Sequence, residues 1–297
     1  MNKFNILSAG EILFDCFPDK ICLGGAPFNF IYHIIKLTGN GVFISRIGED
    51  DLGKKIKLFF EERNVSAAFL QTDFNHLTGK VDVITDENGI PDFTIKKNAA
   101  YDFIEINREI LDCAKKSDLF YFGTLAQREG KSGNTIQRLA ENSKIRFLDL
   151  NLRKDCFDEN IVKKSLELCT ILKASEDEFN YLCRLFCLSG KTEKEKIKEI
   201  CSRFNIKSVC VTKGENGSVI FNKGVFSKYK LPTGIIADTV GAGDAFSAIL
   251  AIGYLSNWET DKISEIANKF AAATCLFEGA LPLNDDFYNF YRGIIQN

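Results

Sequence analysis

No GxxxxGK(S/T) loop occurs in the 297 residues, so the phosphate cradle of the P-loop nucleotide enzymes is excluded. No GxGxxG follows the first apolar run, which ranks a dinucleotide oxidoreductase last among readings of an α/β chain. Histidine occurs only twice, and the ten cysteines form no CxxC pair. Cys183 and Cys187 fall four apart with no histidines to complete a metal cluster around them, so buried free thiols are expected. The longest apolar candidate, near Ala245 to Leu255, is too short to span a bilayer, and no membrane partner is expected. The first residues, MNKFNILSAGEILFD, contain no signal-like apolar segment and read directly into a strand, so a cytoplasmic location is expected. A net charge of −2 offers no electrostatic case for nucleic acid. One tryptophan and one methionine beside 26 phenylalanines is a composition bias that carries no function.

What remains is ample for a core. Hydrophobic residues make up 45% of the chain, and its length suits one large α/β domain or two small ones. Apolar strand-like runs at Phe4 to Ala9, Val42 to Ile47, Leu119 to Phe122, Ile145 to Asp149 and Ser208 to Thr212 alternate with helical stretches. The helical stretches include Phe28 to Leu37, Lys54 to Arg63, Ser132 to Ser143, Glu176 to Leu185 and Glu193 to Phe204. Such alternation requires a mostly parallel sheet covered by helices on both faces, with ligands at the carboxyl ends of the strands. Residues 65 to 104 differ: Val81 to Ile84 and Asp92 to Ile95 alternate as strands around an Asp86-Glu87-Asn88-Gly89 turn, which predicts a small antiparallel sheet.

Chemistry concentrates in Asp238-Thr239-Val240-Gly241-Ala242-Gly243-Asp244-Ala245-Phe246. A glycine turn entering an apolar helix directs free N–H groups and a positive dipole end at one point, which suits an anion. Asp244 stands at that point. It either stabilises the helix start or takes a proton from a hydroxyl attacking a phosphorus held there. Toward the other end of the chain, Asp15 follows an apolar run, and Gly24-Gly25-Ala26-Pro27-Phe28-Asn29 opens a helix. Asp15 and Asn29 offer hydrogen-bonding groups to hydroxyls, and the glycines admit a ring close to the backbone. His33 sits among apolar neighbours and reads as an ordinary histidine.

The two glycine blocks resemble the C-terminal D-T-x-G-A-G-D and the N-terminal sugar-binding signatures of the ribokinase-like (PfkB-type) carbohydrate kinases. Asp149-Leu150-Asn151-Leu152-Arg153 and Val211-Thr212-Lys213-Gly214 through Gly217-Ser218 also resemble family segments, so the resemblance covers essentially the whole chain. GGAPFNF and DLNLR are most similar to the fructokinase-like branch. The resemblance implies a single ribokinase-like three-layer sandwich over 1–297, a mostly parallel sheet between helices. A small β-sheet lid over the sugar is implied at about 13–23 and 72–103, and such lids often make dimer contacts.

By the same resemblance, Asp244 is the base, and Gly241, Ala242, Gly243 and Arg153 stabilise the transferring phosphoryl group. Asp15, Gly24, Gly25, Asn29 and Tyr101 bind the sugar. Asn151, Glu178, Thr212, Gly214, Gly217, Asn268 and Ala272 serve ATP. Glu178 is implied to reach Mg²⁺ through water, and Asp238, Val240, Thr274 and Gly279 match a monovalent cation site suited to K⁺. The family's Asn-x-x-Glu is here Ser175-Glu176-Asp177-Glu178. Ser-x-x-Glu is also a helix capping box, and both readings stand together. Fructose is the implied acceptor. Ribose, 2-keto-3-deoxygluconate, a nucleoside or a sugar phosphate are the alternatives within the fold, and a non-catalytic sugar or nucleotide sensor is the alternative outside enzymes.

Overall fold

The alternation of the sequence appears in space as one long sheet with a core on each face. The computed structural model describes residues 4–85, 91–230 and 240–296. The first part of the chain supplies strands β1 (Ile6–Ala9), β2 (Leu13–Cys16), β3 (Ile21–Gly24), β4 (Val42–Gly48), β5 (Leu70–Asp73), β6 (Gly79–Thr85) and β7 (Pro91–Ile95). The second supplies β8 (Leu119–Phe122), β9 (Ile145–Asp149), β10 (Ile171–Ser175), β11 (Ser208–Thr212), β12 (Ser218–Asn222) and β13 (Val225–Tyr229). Nine strands of the described residues form the main sheet in the order β13-β12-β11-β10-β9-β8-β1-β4-β5, all running the same way except β12, which pairs antiparallel with β11 and β13 at one edge.

Continuous apolar runs form these strands because both faces are covered. In β8, Leu119 and Tyr121 join one core while Phe120 and Phe122 join the other, as a period of two demands. The helices Arg108–Lys116, Gly130–Glu141, Glu159–Leu168, Glu176–Leu185 and Glu193–Phe204 cover one face. The helices Ala26–Thr38, Asp51–Glu62, Ala242–Leu255, Thr260–Thr274 and Asp285–Gln296 cover the other. No described helix is long and apolar enough to cross a membrane. His33 lies in the second core, buried beside the Tyr288 hydroxyl at 3.0 Å, and burial holds its pKa down at about 3. It is a packed core side chain.

The small sheet, β3-β2-β6-β7, is mixed: its outer pairs are antiparallel, but β2 and β6 run parallel. Alternation within each strand shows that a strand is half-covered, not which way its neighbour runs. β5 lies within the stretch that changes character in the sequence, yet it pairs with β4 on the main sheet. The turn expected at Asp86 to Gly89 lies outside the described residues. The sequence pattern also misses the final helix, Asp285–Gln296, whose buried face is only Tyr288, Tyr291 and Ile295.

Strand order reverses between β1, whose other neighbour β4 comes next among the main-sheet strands, and β8. This is the crevice where open α/β sheets bind ligands. The helix Glu176–Leu185, which follows β10, is capped by its own side chains. Ser175 accepts from the Glu178 N–H at 3.2 Å while Glu178 accepts from the Ser175 N–H at 2.7 Å, a reciprocal capping box. Ser175→Ala is therefore expected to lose about 1 kcal/mol of stability, read as a fall of roughly 2 °C in Tm. Ser175→Asn, an equally good cap, should stay within a few tenths of a kcal/mol of the wild type. Equal losses in both variants would remove capping as the reason for the residue.

Candidate active site

Two helices begin at the same cavity. The helix Ala26–Thr38 starts at Gly25, whose φ of +110° and contact with the Glu11 carbonyl (2.5 Å from where a Cβ would stand) both demand glycine. The helix Ala242–Leu255 starts at Gly241, φ +78°, where an added Cβ would stand 2.5 Å from the Ala280 side chain. Between them is a cavity of about 320 Å³. Its walls carry Glu11, Asp15, Gly25 and Asn29 from the N-terminal part of the chain and Val240, Gly241, Gly243 and Asp244 from the C-terminal part, with Asn151, Arg153 and Lys173 also lining it. The two signatures are joined directly: Asn29 Nδ2 donates to Asp244 Oδ2 at 2.8 Å.

Asp244 is surrounded by opposing influences. Burial raises its pKa and the nearby Asp149 carboxylate adds to that, while Lys173, the Asn29 amide and Arg153 pull it down; the balance stands at about 7. Asp149 is itself a hub. It receives Lys173 Nζ on both oxygens (3.0 and 2.7 Å), the Tyr121 hydroxyl at 2.9 Å and the Ser247 hydroxyl at 2.8 Å. Burial lowers the Lys173 pKa, but Asp149 beside it outweighs burial and holds it above the ordinary value. The ammonium lies 3.2 Å from where a Cβ on Gly243 would stand. Phe30 stacks on Tyr121 at 3.8 Å between ring centroids, so the Asn29 helix also sets the hydroxyl that holds Asp149.

Arg153 is exposed at the cavity rim and makes no ion pair with the described residues, yet its charge lowers the pKa of Glu11, Asp15 and Asp244. Its approach is set by the backbone. Asn151 holds φ +41°, a left-handed conformation that asparagine tolerates better than most residues. The following Leu152 N–H donates to Glu178 Oε1 at 2.6 Å. Glu178 thus holds the Asn151–Arg153 turn with one oxygen and caps its own helix with the other.

Other expected residues stand elsewhere. Gly24 is beside Asp15, whose Oδ2 lies 3.4 Å from a would-be Cβ, but does not line the cavity. Ala242 is the first residue of its helix. Tyr101 is fully buried under Gly79 and the Arg128 guanidinium, outside the cavity wall. Thr212 ends β11, and Gly214 and Gly217 form the turn after it; at Gly217 a Cβ would stand 1.8 Å from the Tyr229 carbonyl, so close packing explains that glycine. The Asn268 amide donates to Ser218 Oγ and the Ser264 carbonyl inside the core. Ala272 is half-buried on that helix, and Thr274 is buried with its hydroxyl donating to Phe270. Gly279 has φ +76° and precedes Ala280, which packs against Gly241. Asp238 lies outside the described residues.

Sequence reasoning passed over Glu11, Lys173 and the hub role of Asp149. One signal was present for Lys173: a lysine inside the apolar strand Ile171-Leu172-Lys173-Ala174 needs a buried partner. The raised pKa of Asp244 has a cost in stability. Its folded pKa of about 7 exceeds the ordinary 3.8, so the wild type loses stability as pH rises between those values. At roughly 1.4 kcal/mol per unit the loss reaches a few kcal/mol. Asp244→Asn should therefore melt close to the wild type near pH 4 and several degrees above it at pH 8. A Tm difference that does not change with pH would contradict this.

Comparison with known proteins agrees with the geometry. The model of the pfkB family carbohydrate kinases matches residues 16–286. A fructokinase of Escherichia coli is 26% identical over 294 residues, covering 92% of this chain and 93% of its own. An aminoimidazole riboside kinase of Salmonella typhimurium is 24% identical over 312 residues, covering 98% and 95%. Among solved structures, an uncharacterized sugar kinase from Pyrococcus horikoshii superposes with a TM-score of 0.80 at 25% identity, covering 98% and 99%. A Vibrio cholerae fructokinase, solved with fructose, ADP and calcium, shares the fold with a TM-score of 0.80 at 23% identity, covering 97% and 98%. The family match takes in most of the cavity wall, from Asn29 to Asp244, and the chain belongs to the pfkB family of carbohydrate kinases.

Proposed function

We propose that this kinase transfers the terminal phosphoryl group of ATP to a hydroxyl of fructose, with Asp244 as the base. The observation that carries the reading is the Asn29–Asp244 bond inside a cavity walled by both glycine signatures. Asp15 and Asn29 orient the sugar. Asp244 removes the proton from the hydroxyl as its oxygen bonds to phosphorus and the bond from phosphorus to the ADP oxygen breaks. A base poised near neutrality combines a usable ionised fraction with a real affinity for the proton.

The residues fit a phosphate at the glycine loop. Gly241 to Gly243 form a cradle that a side chain at Gly243 would fill against Lys173. The N-terminus of the Ala242–Leu255 helix adjoins it, and Lys173 and Arg153 line the same cavity. From β1 to β11 the carboxyl edge spans four strand spacings, roughly 19 Å at about 4.8 Å each, long enough for an extended nucleotide running toward Thr212 and Gly214. Among the described residues no three His, Cys, Asp or Glu side chains cluster as a metal cage, which suits a hard cation bound mainly by phosphate and water. Mg²⁺ bound with the nucleotide would offset phosphate charge, near Asn151 and the Glu178-held turn. Val240, Thr274, Gly279 and Asp238 are the residues proposed for K⁺, and the packing of Ala280 on Gly241 supports the adjacency of two of those segments.

Coupled ADP release against fructose, ribose, 2-keto-3-deoxygluconate, adenosine, aminoimidazole riboside and fructose phosphates, with Mg²⁺ and K⁺ present, tests the substrate. Preference for fructose is expected, and preference for a riboside would replace it. The kcat/KM for the preferred sugar should fall tenfold per pH unit below about 7 as Asp244 protonates. Asp244→Asn should lose about 10²–10⁴ in kcat. A variant with full activity would show that another group is the base.

A further inference from the structure

Asp15, Asn29 and Asp244 leave one buried group of the cavity without a task. Glu11 stands two residues beyond β1, in the crevice beside β8, is 2% exposed and lines the cavity. Its Oε2 is buried and has no hydrogen-bond partner among the described residues. The cations whose charge reaches it do not bind it. Arg128 is engaged by Asp102 through Nε at 2.9 Å and Nη2 at 2.7 Å, and Arg153 makes no ion pair with the described residues. Buried polar atoms are almost always satisfied, and an exception calls for a missing donor.

A second orphan stands on the same wall. Asn29 uses Nδ2 on Asp244, but its Oδ1 is buried without a donor among the described residues. The two residues are tied together by backbone. Gly25, the cap of the Asn29 helix, packs so closely on the Glu11 carbonyl that no side chain fits between them. The Asn29 N–H donates to the Gly25 carbonyl at 2.8 Å. Two unpartnered acceptors beside two further carboxylates, Asp15 and Asp244, ask for a ligand rich in neutral donors. A polyol has them. An anionic group would meet carboxyl oxygens there and is disfavoured.

Resting on the kinase reading above, we propose that Glu11 is a specificity-determining residue. It pairs with one hydroxyl of the sugar acceptor, distinct from the hydroxyl aimed at Asp244, and so selects for the presence of that group. Burial raises the Glu11 pKa to about 7, so near neutrality it offers that hydroxyl a donor or an acceptor. A site built to pair a hydroxyl rejects the analogue lacking it far more strongly than an apolar pocket does.

The experiment compares kcat/KM for the best acceptor sugar with that for each of its monodeoxy analogues, in the wild type, Glu11→Ala and Glu11→Gln. The wild type should discriminate against one deoxy analogue by at least tenfold. Glu11→Ala should lose 10- to 100-fold on the parent sugar, accept that one analogue almost as well as the parent, and keep its discrimination at every other position. Glu11→Gln, nearly isosteric, should recover part of the loss, which separates lost pairing from lost folding. Proportional losses on the parent and all analogues would overturn the Glu11 assignment while leaving the kinase reading intact, as would no loss at all. No turnover of any sugar by the wild type would overturn both.

Discussion

One hydrogen bond holds the site together. Asn29 and Asp244 are 215 residues apart, at the starts of two helices that pack on the same face of the sheet, and their side chains meet at 2.8 Å. The bond needs each helix to start where it does. Gly25 and Gly241, both with positive φ and both without room for a Cβ, fix those starts. Remove either glycine and the helix beginning shifts, the carboxylate loses its aim, and the anion cradle loses its shape.

Around that bond, charge is arranged in layers. Burial alone would leave Asp244 a poor base at neutral pH, and Asp149 makes ionisation harder still; Lys173, Asn29 and Arg153 bring the pKa back to about 7. Asp149 accepts four bonds from Lys173, Tyr121 and Ser247, and these draw strands β8 and β10 and the Ala242–Leu255 helix onto one point. The stability the fold gives up to bury Asp244 is thereby tied to a proton affinity that suits the proposed base.

Much of this was legible before any coordinates. Strand and helix alternation carried the three layers, because a doubly covered parallel strand has no polar face to disguise it. Asp15, Gly25, Asn29, Asn151, Arg153 and Asp244 line one cavity, Gly25 following β3 and Asn151 and Arg153 following β9, whereas Asp15 lies within β2 and Thr212, expected at the same edge, does not line it. Where reading failed, the cause is physical. β5 and the mixed pairing of the small sheet depend on which neighbour a strand finds, and alternation does not encode that. The two amide donors of Asn268 bind Ser218 and Ser264, a pairing no sequence pattern encodes. Glu178, implied to reach the metal through water, holds backbone N–H groups with both oxygens and so also sets the turn that presents Arg153. Glu11 was visible only as the residue after Gly10, since an unpartnered oxygen is a property of three dimensions.

The most direct measurement is the titration of the Asp244 carboxyl itself. ¹³C-carboxyl NMR of aspartate-labelled enzyme would follow it, with the signal assigned by its absence in Asp244→Asn. A midpoint near pH 7, far above that of the exposed aspartates, is the result this account predicts. A midpoint near 4 would mean that burial does not govern Asp244, and the base would have to be sought elsewhere in the cavity.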